Sequence, residues 1–126
     1  MNNLEVQLKN ILEELINQEL FLHHPKANIT RTDLENIIDA RFYEVGALGR
    51  YYSREDAINI LIERSNNSSK DVWETKGFHC LEIALDTYLL TYTLIQDKRI
   101  THRASIWLRS DQNWKILYHQ GTIVQK

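Results

Sequence analysis

The chain has 126 residues, of which 43% are hydrophobic and 25% are charged, a composition typical of one globular domain with a single core. The formal net charge of −2 gives no general argument for nucleic-acid binding, and no apolar run reaches the roughly 20 residues of a membrane helix. The single cysteine, Cys80, excludes an internal disulfide, and the first ten residues lack a secretory pattern. We therefore expect one domain, residues 1–126, in the cytoplasm, with no membrane partner and no nucleic-acid partner.

The charge is unevenly distributed along the chain. Residues 1–44 contain eight acidic and four basic side chains, a balance of −4, whereas residues 98–126 contain six basic and one acidic, a balance of +5. A basic C-terminal hairpin would attract an anionic ligand or nucleic acid. No aromatic-interleaved basic motif accompanies it, so we favour a solvated outer strand face that Lys and Arg protect from edge pairing.

Three helices are predicted in the first half of the chain. Residues 4–22 carry apolar side chains at the i, i+3, i+4, i+7 spacing of an amphipathic helix, and Pro25 ends this segment. Residues 30–42 predict a short second helix that begins at a Thr or an Asp. Residues 53–65 predict a third helix, with Ser53 as its N-cap and acidic residues in its first turn.

The remaining segments are predicted to be strands. Residues 42–52 contain Gly46 and Gly49, which suit a bent or bulged strand better than a helix. From Val72 onward the apolar period changes to two, and the composition predicts four strands, at residues 72–86, 87–96, 100–110 and 113–124. Helices that precede a run of antiparallel strands indicate a segregated α+β domain.

The last hairpin allows a register to be predicted. With residues 110–113 as a four-residue loop, the facing pairs are Arg109 with Trp114, Trp107 with Ile116, Ser105 with Tyr118, and Arg103 with Gln120. Side chains alternate between the two faces of a sheet, so this set shares one face and His119 points to the other. A slip of one residue would exchange the faces.

Four groups of residues form a pattern along the chain. They are Phe42, Glu44, Gly46 and Gly49; Thr91 and Tyr92; Arg103, Ser105 and Trp107; and Trp114, His119, Gln120, Gly121 and Thr122. In order and spacing these groups resemble the signatures of the DUF4440 branch of the NTF2-like (SnoaL-like) superfamily. The leading pair of helices also fits, so the resemblance extends over nearly the whole chain.

The resemblance implies a cone-shaped α+β fold, in which N-terminal helices pack on a strongly curved antiparallel sheet, and it implies a homodimer. Such cones commonly enclose a ligand cavity. The superfamily includes ketosteroid isomerase-like enzymes, polyketide cyclases, dehydratases and non-catalytic association domains, so the fold does not specify an activity. Two departures from the pattern, Ala47-Leu48 after Gly46 and Thr93 after Tyr92, predict a less polar cavity.

A ketosteroid isomerase-like reaction requires a carboxylate base and hydrogen-bond donors for an oxyanion. Glu44 is the candidate base because it lies in an otherwise apolar strand, and Tyr92 and Tyr118 are candidate donors. The alternative is a structural ion pair between Glu44 and Arg103, which would hold the carboxylate ionised. We favour the ion pair over the catalytic base.

The other reactive residue types have simpler interpretations. His119 is a candidate general base because histidine titrates near physiological pH, but its predicted face favours a satisfied sheet histidine. Cys80 is better interpreted as a buried thiol than as a nucleophile. No metal-binding, phosphate-binding or serine-hydrolase spacing occurs in the sequence, so we expect no metal and no cofactor.

The predicted function is therefore the binding of a small organic molecule, including organic anions, in a conical pocket. The predicted lining residues are Glu44, Tyr92, Arg103, Ser105, Tyr118 and Gln120. Arg103 would anchor a carboxylate by paired hydrogen bonds. Two alternatives stay open: an isomerase or dehydratase that uses Glu44 as general base, and a dimerisation module whose interface is the outer face of the sheet.

Overall fold

The computed structural model describes residues 3–67 and 73–125, which form three helices and a curved sheet of six strands. The helices are α1 (Asn3–His23), α2 (Arg31–Ile37) and α3 (Arg54–Asn66). The strands are β1 (Ile38–Val45), β2 (Tyr51–Ser53), β3 (Trp73–Ala84), β4 (Thr87–Gln96), β5 (Arg99–Ser110) and β6 (Asn113–Ile123). The α+β class predicted from the sequence is confirmed.

The sheet has the strand order β2-β1-β6-β5-β4-β3. Strands β3 to β6 form successive antiparallel hairpins, as predicted. Strand β1, however, pairs parallel with β6, so the sheet is mixed and not wholly antiparallel. This pairing joins segments that lie far apart in the chain, and local periodicity does not encode it.

The second helix is shorter than the predicted segment 30–42, because β1 begins directly after Ile37. Ile38 is 1% exposed and lies opposite Ile116 of β6. The Arg54 guanidinium donates hydrogen bonds to the Ile38 carbonyl at 3.0 Å and to the Asp39 carbonyl at 3.1 Å. Strand pairing and this arginine satisfy backbone groups that a longer helix would otherwise satisfy, so tertiary contacts override the local helical pattern.

The segment 42–52, predicted as one bent strand, is a hairpin of β1 and β2. Gly49 occupies its turn with a φ of +93°, a backbone conformation that side chains with a Cβ rarely adopt. The third helix follows directly and begins as predicted. Ser53 accepts a hydrogen bond from the Asp56 N–H at 3.1 Å, and Asp56 accepts one from the Ser53 N–H at 3.1 Å, which forms a capping box.

The core lies between the helices and the inner face of the sheet. Trp107 is fully buried, and Tyr88, Leu90 and Leu94 alternate along β4 with outward-facing residues. The apolar stripe predicted for α1 is buried only from Ile11 onward, since the earlier leucines of the stripe are exposed. No helix in residues 3–67 or 73–125 is long and apolar enough to cross a membrane.

A β-bulge in β6 changes the predicted register of the last hairpin. The pairs Arg109–Trp114 and Trp107–Ile116 are confirmed. Beyond them Leu117 is an extra residue, and the observed pairs are Ile106 with Tyr118, Ser105 with His119, Ala104 with Gln120, and Arg103 with Gly121. The predicted pairs Ser105–Tyr118 and Arg103–Gln120 are therefore wrong. His119 faces inward, whereas Tyr118 and Gln120 face outward.

Candidate functional site

A cavity of about 480 Å³ opens between the helices and the inner face of the sheet. Its apolar wall includes Leu22, Phe42, Leu61, Trp73, Leu94 and Ile116. Its charged and titratable groups are Glu19, His23, His24, Glu44, Arg64, Arg99, Arg103 and His119. The volume and the mixed lining are within the range typical of small-molecule sites.

Glu19 of α1 is a buried carboxylate, 1% exposed, that bonds to two strands. Its Oε2 accepts a hydrogen bond from the Tyr92 hydroxyl of β4 at 2.6 Å. Its Oε1 accepts one from the Trp107 Nε1–H of β5 at 3.0 Å. Because both oxygens are satisfied, the carboxylate is retained in the interior and ties α1 to the sheet.

The direction of these bonds determines the tautomer of His23. A tyrosine hydroxyl has one proton, and Tyr92 donates it to Glu19. The Tyr92 oxygen, 2.6 Å from His23 Nε2, therefore accepts the Nε2–H proton. His23 Nδ1 is left unprotonated and has no hydrogen-bond partner in the described part of the chain. Burial lowers the pKa of His23 to about 4, against the opposing effect of Glu19, so the ring is neutral at pH 7.

His119 has the opposite tautomer. The Arg103 guanidinium only donates, so His119 Nε2, 3.3 Å from Arg103 Nη1, acts as an acceptor. The proton then lies on Nδ1 and is donated to the Ser105 hydroxyl oxygen at 2.7 Å. Burial and the nearby Arg103 lower the pKa of His119 to about 3. Both ring nitrogens are used within the protein, which leaves neither free to accept a proton from a ligand.

Arg103 lies half-buried on the inner face of β5. Its Nε–H donates to the Thr101 hydroxyl oxygen at 3.0 Å, and its Nη1–H donates to His119. No carboxylate of the described residues is within ion-pair distance of it. The ion pair predicted between Glu44 and Arg103 is therefore not formed.

Glu44 lies in the same cavity without a hydrogen-bond partner among residues 3–67 and 73–125. Burial raises the pKa of its carboxyl group above the usual range, and Arg64 and Arg103 act in the opposite direction. A desolvated carboxylate of this kind is a chemically competent base.

The electrostatic balance of the cavity favours anions. With the two histidines described above neutral, the charged lining groups are three arginines and two glutamates. Arg64 and Arg99 are exposed, whereas Arg103 is half-buried. The cavity therefore presents to a negative group the Arg103 guanidinium, which has no carboxylate partner in the described part of the protein.

The structure separates the predicted pocket residues into three sets. Glu44 and Arg103 line the cavity, and so does His119. Tyr92 and Ser105 are buried and bonded to Glu19 and His119, respectively. Tyr118 and Gln120 lie on the outer face, where the Tyr118 hydroxyl donates to the Gln120 side-chain oxygen at 2.6 Å. The bulge pairs Gln120 with Ala104 and not with Arg103, and Gln120 borders a second cavity together with Tyr92 and Arg103.

The two departures from the sequence pattern do not reduce the polarity of the cavity. Leu48 is 82% exposed in the turn between β1 and β2. Thr93 lies on the outer face, 3.1 Å from a ring nitrogen of His102. Neither residue lines the cavity, so the expectation of a less polar interior is wrong.

Glu19 and His23, which are central to the site, were not among the residues predicted from the sequence. A signal for them exists, because Glu19 follows Ile11 and Leu15 at intervals of four and so continues the buried stripe of α1. A carboxylate within such a stripe requires buried partners. Within residues 3–67 and 73–125, no group of three or more His, Cys, Asp or Glu side chains is arranged to hold a metal ion.

Solved structures similar to this chain include several described as NTF2-like proteins. An NTF2-like protein of unknown function from Pseudomonas aeruginosa has a TM-score of 0.70 at 14% identity, over 90% of this chain and 97% of that one. A second, from Silicibacter pomeroyi, has a TM-score of 0.65 at 16% identity, over 98% and 100%. A Parabacteroides distasonis protein, named as a proposed ketosteroid isomerase, has a TM-score of 0.66 at 16% identity, over 91% and 89%.

No protein-family model matches the chain, and no curated protein is similar to it in sequence. At these low identities the structural likeness shows the fold alone, which is the NTF2-like fold.

Proposed function

From the NTF2-like fold and the geometry of its cavity, we propose that this protein binds a small organic acid, with Arg103 as the anchor for the carboxylate. The proposal rests on the position and the bonding partners of Arg103. Its guanidinium lies in the cavity wall, has no carboxylate partner among residues 3–67 and 73–125, and is held in place by Thr101 and His119. A bound carboxylate would accept charge-assisted hydrogen bonds from it.

The surroundings of Arg103 support an organic anion over an inorganic one. Apolar side chains such as Phe42, Leu94 and Ile116 form much of the wall and would cover a hydrocarbon or aromatic body. The exposed arginines, Arg64 and Arg99, would attract the anion on its approach.

Thermal unfolding with benzoate and with its neutral isostere benzamide tests the proposal. At ten times its Kd, an acid that binds only the folded protein stabilises it by about 1.4 kcal/mol, which raises Tm by roughly 5 °C. We expect benzoate and related aromatic acids to raise Tm in this way, and we expect benzamide to leave Tm unchanged. In Arg103→Ala the rise with benzoate is lost. Arg41→Ala is the matched control, because Arg41 is exposed and bonds to Asp39. An identical response of wild type and Arg103→Ala to every acid would overturn the proposal.

A second candidate function is an isomerase or dehydratase that uses Glu44 as general base. Its support is the half-buried position of Glu44 in the cavity and the raised pKa of its carboxyl group. In this case Glu44→Gln abolishes turnover and leaves the urea-unfolding midpoint unchanged. A Glu44→Gln protein that unfolds more easily and retains turnover would assign the residue a structural role.

The homodimer implied by the resemblance is also a proposal, and the outer face of the sheet supports it. Cross-strand pairs join Leu81, Leu89, Ile106, Tyr118 and Tyr43 into one apolar row across five strands. Leu81 is 51% exposed and Tyr43 is 44% exposed. A second copy of the chain would bury this outer-face row, since exposed contiguous apolar surface is typical of interfaces.

We propose that the chain belongs to the DUF4440 branch, because its motifs resemble the signatures of that branch. Five of the motif residues, Glu44, Arg103, Ser105, Trp107 and His119, face the interior. The cytoplasmic location, inferred from the single cysteine, stays a prediction.

A further inference from the structure

We propose that His23, Tyr92 and Glu19 form a proton relay, and that the relay makes His23 a catalytic base toward a carbon acid held in the cavity. This inference rests on the proposed binding function and extends it from binding to proton transfer. The substrate class is an organic acid with a carbonyl group and an acidic C–H bond next to it.

The geometry of the relay is continuous. His23 Nε2 lies 2.6 Å from the Tyr92 oxygen, and that oxygen lies 2.6 Å from Glu19 Oε2. Both hydrogen bonds of the relay donate in the direction of Glu19, because Tyr92 has a single hydroxyl proton and donates it to that carboxylate. His23 lines the cavity, and its Nδ1 is the ring nitrogen without a partner in the described part of the chain.

The proposed step conserves atoms and electrons. The substrate C–H bond breaks, its electron pair stays on the substrate as an enolate, and the proton forms a bond to His23 Nδ1. The Nε2–H proton moves to the Tyr92 oxygen, and the original Tyr92 proton moves to Glu19 Oε2. His23 and Tyr92 end neutral, and Glu19 ends as a carboxylic acid. Return of the proton to a different substrate atom completes an isomerisation, and its return to the same atom gives exchange with solvent.

The relay allows proton transfer without an ion forming at His23 or at Tyr92. An imidazolium at His23 is disfavoured by burial and by the nearby charges of Arg103 and Arg64. A tyrosinate at Tyr92 is disfavoured as well, because burial and Glu19 raise the pKa of its hydroxyl group. Transfer through both residues to Glu19 avoids either ion. The net change is that one negative charge leaves Glu19 and appears on the substrate, where Arg103 stabilises it.

The other candidate bases in the cavity lack this arrangement. His119 uses both ring nitrogens for Arg103 and Ser105. Among the residues that the structure describes, Glu44 has no hydrogen-bond partner that would orient it or receive a proton from it. His23 alone among the three combines a free nitrogen with a bonded route to a buried acceptor.

The test uses 5-nitrobenzisoxazole, a neutral probe of base catalysis that needs no knowledge of the physiological substrate. A base removes its C3 proton, the C–H electron pair forms the nitrile, the N–O bond breaks, and the coloured phenolate is released. We expect the wild-type protein to accelerate this elimination. His23→Gln keeps a donor for Tyr92 but cannot accept a proton, so the rate falls by about 100-fold. Tyr92→Phe and Glu19→Gln each lower it by roughly tenfold or more.

Matched controls exclude general surface catalysis. His79 and Tyr51 are exposed and lie outside the cavity, so His79→Gln and Tyr51→Phe retain the wild-type rate. Thermal unfolding of each variant shows that the rate is measured on folded protein.

A proton inventory in mixtures of H₂O and D₂O separates a relay from a structural role. Two exchangeable protons move in the proposed step, so a plot of the wild-type rate against the deuterium fraction of the solvent is curved. Tyr92→Phe removes the relay, so no exchangeable proton moves and the dependence on the deuterium fraction disappears, which simple destabilisation would not cause. A linear wild-type inventory overturns the relay.

The outcomes distinguish this inference from the binding proposal. Elimination that is lost in Glu44→Gln and unchanged in His23→Gln overturns the relay and assigns the base to Glu44. No acceleration by folded wild-type protein over His23→Gln also overturns the relay. A protein that catalyses the elimination through His23 but does not respond to any acid through Arg103 keeps the relay and loses the proposed acid site.

Discussion

Gly121 of β6 lies directly against the guanidinium group of Arg103 on the neighbouring strand. A Cβ added at position 121 would be 3.1 Å from Arg103 Cζ and 3.2 Å from its Nε. The two residues are cross-strand partners in the hairpin. The Arg103 side chain therefore lies against backbone that carries no side chain. The absence of a Cβ at position 121 determines the position of the guanidinium charge.

Gly121→Ala is expected to displace the guanidinium and to weaken acid binding about tenfold, the equivalent of about 1.4 kcal/mol for a misplaced charge-assisted hydrogen bond. Calorimetric titration with benzoate measures this effect. Thr122→Ala is the control, because Thr122 is the adjacent residue and faces outward. Full benzoate affinity in Gly121→Ala would show that the position of Arg103 does not control binding.

Glu19→Ala is expected to lower the free energy of unfolding by about 2–5 kcal/mol, because the Tyr92 hydroxyl and the Trp107 Nε1–H lose their buried acceptor. Urea unfolding measures the loss. Glu14→Ala, on the exposed face of the same helix, should change it by no more than about 0.5 kcal/mol. Equal effects of the two substitutions would show that the bonds of Glu19 contribute little to stability.

Acid is expected to destabilise the fold through two histidines, the partly buried His23 and the buried His119. Burial lowers the pKa of His23 to about 4 and that of His119 to about 3, from 6.5 in the unfolded chain. Between pH 6.5 and the lowered pKa of each histidine, the unfolded chain binds protons that the folded chain does not. The free energy of unfolding therefore decreases as the pH falls through this range. The decrease is about 1.4 kcal/mol per pH unit for each histidine. Glu44 acts in the opposite sense, because burial raises the pKa of its carboxyl group.

Urea unfolding at pH 7 and pH 5 tests this dependence. We expect His23→Gln to reduce the loss of stability by about half, since one of the two histidines no longer titrates. His79→Gln, at an exposed position, should reproduce the wild-type pH dependence. Constant stability between pH 7 and pH 5 would contradict the neutral state of both rings.

Ile106→Glu is expected to convert the proposed homodimer into a monomer, because Ile106 lies between Leu89 and Tyr118 in the outer-face row. A glutamate at this position would be desolvated in a symmetric interface, and it would lie near the same glutamate of the second copy. Sedimentation velocity over a range of concentrations measures the mass. Glu13→Lys, on the exposed face of α1, should leave the mass unchanged. A wild-type protein that sediments as a monomer at every concentration would remove the dimer proposal.

Features encoded in neighbouring residues could be predicted from the sequence. Ser53 and Asp56 specify the start of α3, and the alternation of apolar residues specifies β4 as a strand with one buried face. The motif resemblance anticipated the α+β fold, in which Glu44 and Arg103 line one cavity. These results follow from patterns that need no knowledge of distant partners.

Contacts between distant segments decided the rest. The alternation of residues around Leu117 contains no sign of an extra residue, yet the bulge there turns His119 inward and Gln120 outward. The partners of Glu19 lie 73 and 88 residues further along the chain, so its role depends on how α1 packs against the sheet. Periodicity and capping are properties of adjacent residues, whereas a register shift or a buried carboxylate is stabilised only by groups that folding brings together.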